Sequence, residues 1–151
     1  MNTILKKASI LFLISFSLIG CTPKEQRILK DVEKNSGIKY LTSAKILFSY
    51  TNITGFEDRA GPVYYVLDYL KSDKKEEFVN KYFDKAGSDD EFETKLTEFI
   101  NQEFGDVYSS FDSNYKVNLD LPHGTYRREN LFMIYYPETD VSYFLYHLWI
   151  V

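Results

Sequence analysis

The stretch Leu131–Val151, LFMIYYPETDVSYFLYHLWIV, settles the fold class. Leu131–Tyr136 is wholly apolar or aromatic. Pro137-Glu138-Thr139-Asp140 interrupts it, and in Val141–Val151 only Ser142 and His147 break the apolar run. Short runs of β-branched and aromatic residues, separated by turn-forming residues, read as two strands of an antiparallel hairpin.

The same periodicities extend upstream. Tyr115, Val117, Leu119 and Leu121 alternate with Lys116, Asn118 and Asp120, which predicts a half-buried strand turned by Pro122-His123-Gly124. Two helices are expected before it. The first begins at Ser72-Asp73 and buries Phe78, Val79, Tyr82 and Phe83. The second opens with Ser88-Asp89-Asp90-Glu91 as a capping box, buries Phe92, Leu96, Phe99, Ile100 and Phe104, and stops at Gly105. Val63–Leu70, VYYVLDYL, suits an inner strand. It pairs antiparallel with an earlier strand in which Ala44, Ile46, Phe48 and Tyr50 alternate with Lys45 and Ser49, across a loop at Asn52–Pro62 containing Gly55 and Gly61. A helix from about Glu25, with Ile28, Leu29 and Val32 as its stripe, ends at Asn35-Ser36-Gly37. The order α-β-β-α-α-β-β-β lacks regular βαβ alternation. It predicts an α+β fold: an antiparallel sheet of about five strands with about three helices packed mainly on one face.

The N-terminus carries a different signal. Lys6 and Lys7 precede an uncharged apolar run, Ala8–Gly20, shorter than the roughly 20 residues a spanning helix needs and suited to a signal-peptide core. It ends in Leu18-Ile19-Gly20-Cys21 and is followed by polar Thr22-Pro23-Lys24-Glu25. This resembles the lipobox of bacterial lipoproteins. The resemblance covers residues 1–21 and implies cleavage between Gly20 and Cys21, a diacylglyceryl group on the Cys21 thiol, and a cell-envelope location at the outer membrane or the outer face of the cytoplasmic membrane. It divides the chain into a signal peptide (1–20), a short lipidated tether (21–24) and one domain (25–151). A single acyl chain holds a protein only marginally, whereas two anchor it stably.

Composition narrows the function classes. Cys21 is the only cysteine, so the domain has no internal disulfide framework and depends on its core. Without Lys6 and Lys7 the mature chain carries 16 basic and 22 acidic residues. That balance argues against nucleic acid as a partner and against a strong electrostatic grip on anionic lipid. Aromatic residues make up 17 % of the chain, a proportion that favours β-structure with half-buried tyrosines.

Catalytic signals are weak. His123 and His147 have no metal-ligand spacing between them, so no metal or other cofactor is expected. Ser72–Lys75 matches S-x-x-K without its companion motifs and reads equally as a helix cap. The acidic clusters Glu57-Asp58, Asp89-Asp90-Glu91 and Glu138 with Asp140 show no defined separation across a cleft. The chain therefore reads as a non-enzymatic binding or interaction module that meets an envelope protein, with an accessory subunit, an inhibitor or a small hydrolase as alternatives. Two segments are candidate binding residues: Phe56, Glu57, Asp58 and Arg59, bracketed by Gly55 and Gly61, and Tyr126, Arg127 and Arg128, since binding residues concentrate on loops and Tyr and Arg at hot spots.

Overall fold

The final strand is apolar on both sides, so it can only be central. In the computed structural model, which describes residues 24–54, 59–83 and 90–150, it is the third of five strands. The strands are β1 (Lys45–Thr51), β2 (Arg59–Asp68), β3 (Gly124–Arg128), β4 (Leu131–Tyr136) and β5 (Val141–Ile150). The sheet order is β1-β2-β5-β4-β3, and every pairing is antiparallel. The expected C-terminal hairpin is β4–β5, with Tyr136 opposite Val141. Asp140 takes a left-handed conformation (φ 56°) in its turn. The fold is α+β, as the sequence predicted.

The helices are α1 (Lys24–Ser36), α2 (Lys75–Phe83), α3 (Asp90–Glu103) and α4 (Gly105–Ser109). They do not share one face. Val63, Tyr65 and Leu67 of β2 look to one side with Met133, Phe144 and Leu148, where Leu29 and Val32 of α1 and Phe78, Tyr82 and Phe83 of α2 cover them. Tyr64 and Val66 look to the other side with Phe132, Ile134 and Leu145, beneath Phe92, Leu96 and Phe99 of α3. The expectation of helices mainly on one face fails because β2, β4 and β5 carry large apolar side chains on both faces. Each buried Leu or Phe contributes about 1.5–3 kcal/mol, so neither face can be left to water.

Helix α1 ends where Gly37 (φ 71°) donates its N–H to the Glu33 carbonyl at 3.0 Å, an αL cap. The proposed Ser88–Glu91 cap falls mostly outside the described residues. Gly105 (φ 46°) bends the chain after α3, and a short helix follows directly. The predicted Asn52–Pro62 loop is shorter than its glycines suggested. Thr54 bridges Ala60, and Asn52 donates to the Pro62 carbonyl at 3.1 Å. Gly61 is required here, because a Cβ on it would sit 1.9 Å from the Asn52 carbonyl oxygen.

Two further expectations are overturned. Residues 115–121 are not a strand; a single 3₁₀ turn at Ser113–Tyr115 leads into a crossing segment that turns again at Asn118–Leu121, where Leu121 donates its N–H to the Asn118 carbonyl at 3.4 Å. The third strand instead begins at Gly124, within the predicted turn, and pairs with β4.

Candidate functional site

The crossing segment Ser113–Pro122 roofs the end of the sheet face that α3 leaves uncovered. Its backbone polar groups find tyrosine hydroxyls instead of a neighbouring strand. Tyr64 donates to the Tyr115 carbonyl at 2.7 Å and Tyr143 to the Asn114 carbonyl at 3.1 Å. Tyr136 donates to the Asn118 carbonyl at 2.9 Å and accepts from the Asn118 N–H at 3.0 Å. The Tyr108 hydroxyl accepts from the Val117 N–H at 3.1 Å. Burial is the first cause of the raised pKa of all four phenols. It pushes Tyr143 up to about 12 and Tyr64 further. They therefore stay protonated and keep their donor character throughout the neutral range.

Between roof and sheet lies a cavity of about 360 Å³. Leu47, Val66 and Val141 form its apolar floor, with the Tyr136 and Tyr143 rings beside them. A β-bulge between Ile46 and Phe48 turns Leu47 to the same face as Phe48, which sends two consecutive side chains to this side of the sheet. Phe48 stacks on Tyr115 with centroids 5.1 Å apart. Lys116, Asn118 and Glu138 bring polar groups to the lining, and Leu121, half exposed, completes the roof. A mostly apolar recess of this size with a few polar groups is the ordinary form of a ligand site.

Of the candidate binding residues, none of the described ones lines this cavity, whereas Glu138, from one of the acidic clusters, does. Phe56, Glu57 and Asp58 fall outside the described residues, as do Gly20 and Cys21. Arg59 opens β2, its backbone opposite Ile150. Tyr126, Arg127 and Arg128 form no common site because they alternate along edge strand β3. Tyr126 packs its ring on Tyr82 at 5.3 Å. Arg128 donates to the Ser36 carbonyl at the end of α1. Arg127 points to the other face, 3.2 Å from Glu91 and over the Phe132 ring. All three hold the edge strand to the helices.

The histidines stay apart as well. His123 remains in its turn, its Nδ1 2.6 Å from the Leu121 carbonyl oxygen. His147 pairs with Glu103 (Nδ1 to Oε2, 2.7 Å) beside the ring of Trp149. The Ser72–Lys75 motif is divided: the Ser72 hydroxyl bonds Ser43 at 3.0 Å, while Lys75 pairs with Asp140 at 3.1 Å. Among the described residues no group of three or more His, Cys, Asp or Glu could hold a metal, and no helix is long and apolar enough to cross a membrane.

Sequence reasoning missed the cavity because its lining comes from segments spread between Leu47 and Tyr143. The only trace was the richness in tyrosine within otherwise apolar strands. No protein-family model, curated protein or solved structure matches this chain.

Proposed function

We propose that this chain is a cell-envelope lipoprotein, held to the membrane by lipid on Cys21, that acts as a non-enzymatic binding module. The tyrosine-roofed cavity carries the binding part of this reading. Its apolar floor suits a large apolar side chain presented by an envelope protein, with Lys116, Asn118 and Glu138 placed to meet the polar backbone around it. The anchor rests on the order of charged, apolar and lipobox-like residues in 1–21.

A photo-crosslinker at Lys116, in the full-length protein in its own envelope, tests the cavity. One stoichiometric protein partner is expected, and its capture should fall at least tenfold in Leu47→Trp, which fills the floor. Equal capture by that variant would sink the assignment. The anchor is tested separately by palmitate labelling, which Cys21→Ala should abolish; retained label refutes it.

The His147–Glu103 pair favours a second reading, a small envelope hydrolase with His147 as general base. Hydrolysis of envelope glycan or peptide that disappears in His147→Gln would support it over the binding reading.

A further inference from the structure

Charge is unevenly distributed along this chain. Residues 24–39 hold five basic and three acidic side chains, whereas residues 40–151 hold 11 basic and 19 acidic ones. In α1 the cations Lys24, Arg27, Lys30 and Lys34 are all exposed. Their spacing of three, three and four places them along one side of the helix, opposite Leu29 and Val32, which are fully buried against the sheet. Of the acids, Glu33 is turned to Thr42, whose N–H and hydroxyl reach its Oε2 at 2.9 and 3.0 Å. Asp31, half-buried, is the one acid on the same side as the cations, and Glu25 lies exposed in the first turn. Lys39 continues the basic surface, sharing a shallow recess of about 260 Å³ with Lys30, Lys34 and Glu33. Among the described residues, Lys24, Lys30, Lys34 and Lys39 make no ion pair.

Helix chemistry does not account for this stripe. A cation in the last turn, such as Lys34, is favoured by the helix dipole, but Lys24 and Arg27 stand in the first turn, where the dipole disfavours positive charge. A surface that works against its own helix points to an anionic partner. Position identifies that partner. Lys24 lies three residues after Cys21, and three extended residues span at most about 10 Å, roughly one Debye length at physiological ionic strength.

We propose that the exposed face of α1 lies against the anionic headgroup surface of the membrane that holds the Cys21 lipid. The acidic remainder of the domain is repelled from that surface, and the pair of forces fixes one orientation. Because α1 packs on one face of the sheet and the cavity opens on the other, this orientation turns the cavity away from the membrane, toward a partner in solution or on a facing structure. The inference rests on the anchoring reading and adds an orientation to it.

The test uses the full-length lipoprotein in vesicles of phosphatidylcholine, with or without phosphatidylglycerol, and a headgroup-linked quencher. A fluorophore is placed at Lys34→Cys on α1 or at Asn101→Cys on α3, both exposed sites on opposite faces of the sheet. With phosphatidylglycerol, the α1 probe should be quenched several-fold more than the α3 probe. The ratio should fall toward one in pure phosphatidylcholine, in high salt, and in the triple variant Lys24→Gln, Arg27→Gln, Lys30→Gln. Each cation near an anionic surface is worth about a factor of five in occupancy, so three weigh about 100-fold. Vesicle-bound protein with equal quenching in both lipids overturns the orientation alone and returns the stripe to an acidic protein partner. Protein that floats with neither vesicle overturns the anchor and the orientation together.

Discussion

At the scale of single residues, Asp140 ties three parts of the molecule together. Its carbonyl accepts from the Tyr69 N–H at 2.9 Å at the end of β2. Its carboxylate accepts from the Tyr135 hydroxyl at 2.6 Å and faces Lys75 at 3.1 Å, at the start of α2. The Tyr135 hydrogen bond, then Lys75, holds the Asp140 carboxyl below its ordinary pKa. A group depressed in the folded state adds stability that is present above the unfolded pKa and lost as pH falls through the folded one. Asp140→Asn keeps the left-handed turn and an acceptor for Tyr135 but removes the charge, so its stability should change less than wild type's as pH falls below about 4. Chemical denaturation across that range checks this. Ser142 presents the opposite case. Its hydroxyl is fully buried with no hydrogen-bond partner among the described residues. An unsatisfied buried hydroxyl costs about 1–3 kcal/mol; Ser142→Ala should therefore raise the melting temperature by several degrees, and an unchanged or lowered value would show the hydroxyl to be satisfied.

At the scale of elements, the informative failure is the segment 115–121. Its alternation survives in part: Tyr115, Val117 and Leu119 pack against the core, while Lys116 and Asn118 reach the cavity lining. Period 2 reports an extended backbone with one face buried. It does not report what satisfies the peptide groups, and here phenols do so in place of a strand. Tyr136→Phe should expose the Asn118 peptide, cost about 1 kcal/mol in stability, and raise amide exchange across 113–118 well above that of β4. Exchange confined to global unfolding would show that the roof does not need the phenol. Strand β3 failed in the other direction. Gly124 and the two arginines look like a turn, and only the neighbouring β4 makes them a strand. Gly124 also brings α2 close, since a Cβ there would lie 3.2 Å from Phe83 Cβ.

For the molecule as a whole, both core layers share one sheet and both contain buried tyrosines. Tyr64, Tyr65, Tyr69, Tyr135 and Tyr143 all have pKa values raised mainly by burial. In the unfolded chain they ionise near 10. A pKa raised by folding contributes stability that is complete below the unfolded value and lost as pH rises toward the folded one. The protein should therefore unfold in one steep alkaline transition between pH 10 and about 12. Phenolate absorbance and loss of circular dichroism should rise together, and phenolate appearing well before the loss of structure would contradict the shared core. Because β2, β4 and β5 serve both layers, the two halves should not melt separately.

The sequence by itself determined what local physics controls: the apolar runs that must be inner strands, the turn that joins β4 to β5, the stripe and glycine stop of α1, and the stripe of α3. These depend on neighbours within a few residues. The tertiary structure alone decided how the helices divide between two faces, which extended segment pairs and which is pinned by tyrosines, and where a cavity remains. Each of those is settled by groups far apart in the chain, Tyr64 meeting Tyr115 or Leu47 lying near Tyr143, and no periodicity within either segment carries the other's position.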